Sequence, residues 1–307
     1  MAIHLATRTL DAINSSLEKD QGAAFRTYLG QVIPHMGDAY RGEDKNPYRS
    51  HMGASGIGKD CGRAIWYSFR WFTRPHFDGR ILRLFNRGHL EEARFIALLL
   101  SIGAKVYQQD EQGKQFRISD AGGHFGGSGD GIAVDLPDLP PGMPCLLEFK
   151  THSEKSFNKV VAEGVRNAKF EHFVQMNTYM RKMSLNIALY GAVNKNNDEL
   201  YLELVPIDTI TADQFIDRGR QLVFSPTPPK KLNESPGWFE CKFCDHRAVC
   251  HLKAEPQRNC RTCFYSRAEQ DGTWTCAEPS VLATCNGTGT VLSTDMQLAG
   301  CNAYLKI

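Results

Sequence analysis

Three ionisable residues near the middle of the chain are spaced so that they can act together. Asp130 lies between two glycines, and Glu148 and Lys150 lie in the segment Leu146-Leu147-Glu148-Phe149-Lys150. Because side chains alternate across a strand, Glu148 and Lys150 should share one face. With Asp130 on a neighbouring strand, two carboxylates could hold a hard cation such as Mg²⁺ beside a lysine that acts on the attacking water. The arrangement predicts phosphodiester hydrolysis.

Two helical segments carry further polar residues with regular spacing. Glu92 follows Gly88 by about one helical turn, and apolar residues continue its face, so its carboxylate should lie on the buried side. The adjacent Glu91 is a rival for the same role. Downstream, Gln175 and Tyr179 are also one turn apart. Taken alone, these two would be interpreted as a solvated helix residue and a core aromatic.

The order of these motifs resembles the PD-(D/E)XK nuclease superfamily, in particular its RecB-like and lambda-exonuclease-like branches. The resemblance covers roughly residues 60 to 250. The matching positions are Glu92, Asp130, Glu148, Lys150, Gln175 and Tyr179. Many RecB-like members have histidine where this chain has Glu92, which makes His89 an alternative first ligand.

The resemblance implies a mixed sheet flanked by helices, with Mg²⁺ or Mn²⁺ held by Glu92, Asp130, Glu148 and the backbone carbonyl of Phe149. Lys150 would orient or deprotonate the attacking water. Gln175 would position water or substrate, and Tyr179 would support it or touch DNA.

Hydrophobic periodicity predicts an α/β (α+β) chain with a small cysteine-rich appendage. Helices are predicted over residues 9–35, 60–71, 84–100, 157–183 (broken near Gly164) and 211–222. Strands are predicted over 104–109, 115–119, 131–134, 145–150, 186–193 and 200–206, and a loop over 40–58. The predicted organisation is an N-terminal helical region (1–58), a nuclease core (59–224), a linker with cysteine ligands (225–252) and a C-terminal module (253–307).

The chain has ten cysteines, and its N-terminus shows no secretory signal, so metal binding is favoured over disulfides. One set of four combines an isolated upstream cysteine with a downstream group: Cys61, Cys241, Cys244 and Cys250. This spacing resembles the 4Fe–4S cluster of RecB-like iron–sulfur nucleases, which implies a structural cluster. Thiolates suit zinc as well, and Cys61 could be a buried apolar cysteine.

A second set follows the first and begins with a Cys-x-x-Cys pair. Its members are Cys260, Cys263, Cys276 and Cys301. A short segment with few core residues needs a metal to fold, so we expect tetrahedral Zn²⁺ here. Cys285 competes with Cys301, and His246 and His251 are nearby alternatives. Cys145 is interpreted as a core residue.

Basic and aromatic residues alternate between Lys59 and Arg87. Arg63, Trp66, Arg70 and Arg74 are candidates for backbone contacts and base stacking on DNA. Packed helices with a solvated arginine face would give the same pattern.

Composition sets broad limits on the protein class. Of 307 residues, 42% are hydrophobic, which predicts one main domain with a small extra module. The longest apolar stretch is too short to span a bilayer, so a cytoplasmic protein without membrane contact is expected. The net charge of +2 decides nothing about DNA.

The combined prediction is a Mg²⁺- or Mn²⁺-dependent DNA exonuclease. The resemblance implies a setting in recombination, repair or phage DNA metabolism, in a bacterial or phage-infected host, with a possible recombination or single-strand-binding protein as partner. The alternatives are a structure-specific or restriction-type endonuclease with the same residues, and an inactive nucleic-acid-binding protein.

Overall fold

The computed structural model of the chain describes residues 2–37, 46, 48–280 and 289–307. The chain divides into two compact units, each assembled from separate stretches of sequence. Unit 1 comprises residues 1–43, 77–118 and 128–213, and unit 2 comprises residues 44–76, 119–127 and 214–307. These units do not follow the four consecutive segments that the sequence predicts.

The helices have the following bounds in chain order. They are α1 (Thr7–Asp20), α2 (Ala23–Val32), α3 (Gly62–Phe69), α4 (Gly79–Ser101), α5 (Glu154–Ala168), α6 (Phe170–Met183), α7 (Thr209–Phe224), α8 (Phe239–Lys242), α9 (Arg247–His251) and α10 (Thr294–Ala299). Among the described residues, no helix is both long and apolar enough to cross a membrane.

The strands are mostly short. They are β1 (Met52–Gly53), β2 (Lys105–Tyr107), β3 (Arg117–Asp120), β4 (Phe125–Ser128), β5 (Gly131–Val134), β6 (Cys145–His152), β7 (Ile187–Asn194), β8 (Leu200–Pro206), β9 (Ser266–Ala268), β10 (Trp274–Cys276) and β11 (Thr290–Val291). They form three sheets, with the orders β2-β5-β6-β7-β8, β1-β4-β3 and β11-β10-β9.

The five-stranded sheet of unit 1 is mixed. Strands β6 and β7 are parallel, whereas β2, β5 and β8 each run antiparallel to their neighbours. One face of the sheet packs on a core supplied by α1, α2 and α4, in which Phe149 of β6 stacks on Phe95 of α4 with ring centroids 4.6 Å apart. The predicted mixed sheet flanked by helices is therefore confirmed.

Most predicted elements are present, with differences that have local causes. The helix predicted over 9–35 is two helices, because Gln21 and Gly22 adopt positive φ angles between them. The predicted break near Gly164 is confirmed: this residue has φ +73° inside α5, and an added Cβ would lie 2.9 Å from Ile3. Strand β4 was missed because its sequence, Phe-Gly-Gly-Ser, has no alternating pattern. The loop predicted over 40–58 contains β1, although residues 40–45 and 47 lie outside the described residues.

Unit 2 has a core that is rich in aromatic side chains. Trp66, Tyr67 and Phe72 form one buried cluster, with Val249 and Cys250 packed against it. The antiparallel sheet β11-β10-β9 forms a small hairpin structure near the C-terminus, and Trp274 of β10 is buried.

Candidate active site

Glu148 and Lys150 lie on one face of β6, as the alternation of side chains predicts. Lys150 forms an ion pair with Oε1 of Glu148. The other carboxylate oxygen, Oε2, accepts a hydrogen bond of 2.8 Å from Nε2 of Gln175 on α6. The side chain of Glu148 is almost completely buried, whereas about a quarter of the Lys150 side chain is exposed. The structure thus brings Gln175 of α6 into contact with Glu148 of β6, which also pairs with Lys150 on the same strand.

Asp130 lies beside this pair because of the register between β5 and β6. Gly131 pairs with Leu147, so Asp130, one residue earlier, lies next to Glu148 on the neighbouring strand. Its Oδ2 accepts a hydrogen bond of 2.7 Å from the backbone N–H of Phe149. Gly131, the next residue, allows β5 to approach β2 closely, because it has φ +148° and an added Cβ would lie 2.9 Å from the carbonyl oxygen of Tyr107.

Burial and the closeness of charged groups shift the pKa values of Glu148, Asp130 and Lys150. Burial raises the pKa of Glu148 to about 7; Lys150 opposes the shift and Asp130 adds to it. Burial also raises the pKa of Asp130, against the attraction of Lys150. For Lys150, burial lowers the pKa, but attraction to Glu148 and Asp130 outweighs it, so the net shift is upward. Lys150 is therefore an ammonium at neutral pH in the absence of metal.

Helix α4 directs a third carboxylate toward the site. Glu92 is close enough for its charge to raise the pKa of Lys150. His89 is likewise close enough to Asp130 to lower the pKa of that carboxyl group. The rival Glu91 is buried elsewhere, with its carboxylate 3.6 Å from Arg94. This geometry favours Glu92 over Glu91 and keeps His89 as an alternative.

Tyr179 is buried, with 2% of its surface exposed, one turn along α6 from Gln175. Its position on the same helix is as the spacing predicts. Its burial makes a packing role under Gln175 more plausible than contact with DNA.

A hydrogen-bonded cluster that the sequence did not reveal lies on the same face of the sheet. The hydroxyl of Tyr190 on β7 lies 2.8 Å from Nε2 of His152 and 3.0 Å from Nδ1 of His172. Nδ1 of His152 in turn lies 2.9 Å from the hydroxyl of Ser156. Burial, and then the charges of Lys169 and Lys150, lower the pKa of His152 to about 4. Burial and the charge of Lys150 lower that of His172 to about 2.

The first cysteine set converges in unit 2. The thiol of Cys61 caps α3 by accepting the N–H of Ala64 at 3.4 Å. Burial raises the pKa of Cys241, and the charges of Cys61 and Cys250 add to this shift. The three sulfurs therefore lie near one another. Cys61 and Cys250 act in the same direction on Cys244.

The second cysteine set lines a single small cavity in unit 2. Cys260, Cys263, Cys276 and Cys301 all border it. Cys285 lies outside the described residues. The alternative ligand His246 is already engaged, since Nε2 lies 2.8 Å from the hydroxyl of Ser68 and Nδ1 lies 3.0 Å from that of Thr73. Across the part of the chain that the structure describes, no three or more His, Cys, Asp or Glu side chains are already arranged to hold a metal ion.

Two of the four predicted DNA contacts are wrong. Trp66 is fully buried and donates its indole N–H to the carbonyl of Ser225 at 3.0 Å. Arg70 is also buried, with its guanidinium stacked 5.0 Å from the Trp66 ring. Side chains enclosed in this way cannot reach a DNA strand. Arg63 and Arg74 stay predictions, although Arg63 donates a hydrogen bond to the carbonyl of Pro229.

Comparisons with known proteins give only distant matches. No protein-family model matches the chain, and no curated protein matches it. Among solved structures, it is similar to the alkaline exonuclease LHK-Exo from Laribacter hongkongensis (14% identity, TM-score 0.40) and to the complex of LHK-Exo with dAMP (14%, 0.41). Each match covers 56% of this chain and 86% of the other. A third match, SSO0001, has 13% identity and a TM-score of 0.37 over 76% of this chain and 99% of the other. Similarity at this level does not assign a function.

Proposed function

We propose that the protein is a metal-dependent deoxyribonuclease, and that it acts as an exonuclease. The observation that carries the proposal is the meeting of Asp130, Glu148, Lys150 and Gln175 on one face of the sheet in unit 1. Buried carboxylates are costly unless a cation balances them. A site that keeps two of them beside one ammonium is suited to bind a further cation.

The donor set fits Mg²⁺ or Mn²⁺. Asp130 and Glu148 supply carboxylate oxygens, and Glu92 on α4 adds negative charge nearby. Hard oxygen ligands of this kind are the ones that these ions prefer. The carbonyl of Phe149 follows Glu148 on β6 and is the further candidate ligand. When bound, the metal would supply Lewis acidity and lower the pKa of a bound water.

The residues of the chain have distinct tasks in hydrolysis. Lys150 carries a positive charge at neutral pH, so it can orient an attacking water and stabilise negative charge on the phosphate. Gln175 holds Glu148 through Oε2 and thereby fixes the direction of the carboxylate. Tyr179 packs on the same helix and supports this position.

The first cysteine set is proposed to hold a structural 4Fe–4S cluster. Support comes from the ligand spacing that resembles iron–sulfur nucleases and from the mutual electrostatic effects of Cys61, Cys241, Cys244 and Cys250. Four thiolates also suit zinc, so measurement of iron decides the identity. Hydrolysis moves no electrons, and the cluster would stabilise unit 2.

The experiment compares linear and covalently closed DNA. The purified full-length protein is incubated with end-labelled single- and double-stranded linear DNA and with closed circles, in Mg²⁺, Mn²⁺ or EDTA. We expect linear DNA to be shortened from its ends only when metal is present, with circles intact. Comparable nicking of circles would instead indicate an endonuclease with the same residues. Absence of cleavage together with DNA binding would indicate an inactive binding protein.

A further inference from the structure

Unit 2 contains two buried arginines that have no acidic partner among the described residues, and one of them, Arg70, is near the second cysteine set. Arg261 sits between Cys260 and Cys263, and its guanidinium donates to Oε1 of Gln297 at 2.8 Å and to two backbone carbonyls at 3.0 Å. Arg70 donates to the carbonyls of Arg261 and Ser266 at 3.2 and 3.3 Å. Within the described ranges, neither arginine has a carboxylate within ion-pair distance.

Aromatic rings enclose both guanidinium groups. Arg261 lies 3.8 Å from the centroid of Trp71 and 4.5 Å from that of Trp274, and Arg70 lies 5.3 Å from Trp274. Only 3% of either arginine is exposed. Cation–π contacts offset part of the cost of burying a charge, but two buried cations without a counter-charge remain unfavourable.

The cysteines that line the cavity provide a counter-charge if they bind a metal as thiolates. Cys260 begins a single 3-10 turn and Cys263 follows its end; Asn259 caps the turn on its N-terminal side through a reciprocal pair of hydrogen bonds with Thr262. Cys276 ends β10, and Cys301 follows α10. The N–H of Leu305 lies 3.5 Å from the sulfur of Cys263, a donor that suits a thiolate.

One of the two arginines is close enough to offset part of the charge of such a site. Four thiolates around Zn²⁺ leave a net charge of about −2, because each ligand contributes one negative charge. Arg70 donates to the carbonyl of Ser266, which lines the cavity together with the four cysteines. Burial lowers the pKa of Arg70 to about 10, and a negative charge on Cys263 opposes this shift.

We propose that Cys260, Cys263, Cys276 and Cys301 bind one Zn²⁺ as a tetrathiolate whose negative charge is partly neutralised by the buried guanidinium group of Arg70. Arg70 is a positioning residue that does not touch the metal. The proposal is independent of the nuclease activity, because no residue of the acidic site takes part in it.

The ligand assignment is tested by metal analysis of full-length variants. Cys276→Ser and Cys301→Ser should each lose about one equivalent of zinc, since a tetrahedral site needs all four ligands. Cys145→Ala, in β6 of unit 1, is the matched control and should keep it, as should Cys285→Ser. Zinc that persists in Cys276→Ser and Cys301→Ser, or iron in its place, would overturn the assignment.

A measurement on the unaltered protein covers the case in which these variants do not fold. Titration with an organomercurial should release zinc in step with modification of a group of four thiols, because the ligands leave the metal together. Co²⁺ exchanged into the site should give the thiolate-to-metal charge transfer and the visible bands of tetrahedral sulfur coordination. Octahedral bands or release of zinc without loss of free thiols would contradict the proposal.

The role of Arg70 is tested by zinc affinity in competition with a chelator. Arg70→Met removes the charge and should weaken zinc binding by about 10–100-fold, the usual effect of outer groups on a metal site. Arg70→Lys retains the charge and should recover most of the affinity. A merely structural role would make the two variants equally weak, and unchanged affinity in Arg70→Met would also refute charge neutralisation.

Discussion

The acidic site of unit 1 and the second cysteine set of unit 2 each place side chains close together that repel one another when ionised. The two sites differ in how the negative charge is compensated. In the acidic site, protein groups contact the carboxylates directly: Lys150 and Gln175 engage Glu148, and a backbone N–H engages Asp130. Near the second cysteine set, the buried cation Arg70 donates hydrogen bonds to backbone carbonyls and not to sulfurs. The first site should therefore keep its structure without metal, whereas the second should depend on it.

The largest expected effect concerns catalysis in the acidic site. Asp130→Asn and Glu148→Gln retain the shape of the side chains but remove a charged ligand. Cleavage of DNA should fall by about 10³-fold or more, because a bound metal contributes several kcal/mol to the transition state and each 1.36 kcal/mol is a factor of ten. Initial rates on linear DNA measure the effect, and the thermal stability of unit 1 should change little.

Two further variants sharpen this result. Glu163→Gln, on the exposed side of α5, removes a carboxylate of the same type and should cleave normally. Lys150→Ala should be inactive yet still bind Mn²⁺ in a calorimetric titration, since an ammonium is not a ligand. Normal cleavage by Asp130→Asn would disprove the catalytic assignment.

Part of the acidic site could be anticipated from sequence because short-range rules position some of its members. Alternation along β6 separates Glu148 and Lys150 from Phe149, and the helical period places Gln175 one turn from Tyr179. The bounds of β5 and β8 agree with prediction because turn residues flank them. Gln175 and Tyr179 entered the predicted site through the family resemblance. The contact of Gln175 with Glu148 and the register that brings Asp130 beside Glu148 needed the structure.

Burial of polar and charged side chains was the part that could not be predicted. Arginine alternating with aromatic residues describes a DNA-contacting surface and a packed guanidinium stack equally well, and Trp66 and Arg70 belong to the second kind. The cluster of His152, His172 and Tyr190 joins three elements by long-range pairing. A weak signal existed: His152 shares the alternation of Glu148 and Lys150.

The expected effect of intermediate size is that of metal removal, which should destabilise unit 2 and leave unit 1 unchanged. All four tryptophans lie in unit 2, so their fluorescence reports on that unit. Chelation of zinc should change it and reduce the free energy of amide opening around residues 260–276 by roughly 2 kcal/mol or more, because binding and folding are coupled at structural metal sites. Hydrogen exchange measures this, and β6 of unit 1 is the internal control. Equal loss of protection in both regions would remove the contrast between the sites.

The smallest expected effect is a pH dependence built into unit 1. His152 and His172 are neutral in the fold because burial and nearby lysines lower their pKa values to about 4 and about 2. A histidine with a lowered pKa contributes stability that is present above its unfolded pKa of about 6.5 and is lost as pH falls toward the folded value. The raised pKa values of Asp130 and Glu148 act in the opposite sense, so only a difference between variants isolates the histidines.

His172→Gln supplies that difference, because glutamine can still bond to the hydroxyl of Tyr190 but does not titrate. Between pH 7 and pH 5, the unaltered protein should lose about 1–2 kcal/mol more stability than the variant. Native-state hydrogen exchange in β7, corrected for intrinsic rates, reads the opening free energy of unit 1 without interference from the tryptophans of unit 2. His35→Gln is the control, since it changes an exposed histidine that lies outside this cluster. Parallel curves for His172→Gln and the unaltered protein would mean that His172 takes up a proton in the fold, and that burial and the charge of Lys150 do not keep it neutral.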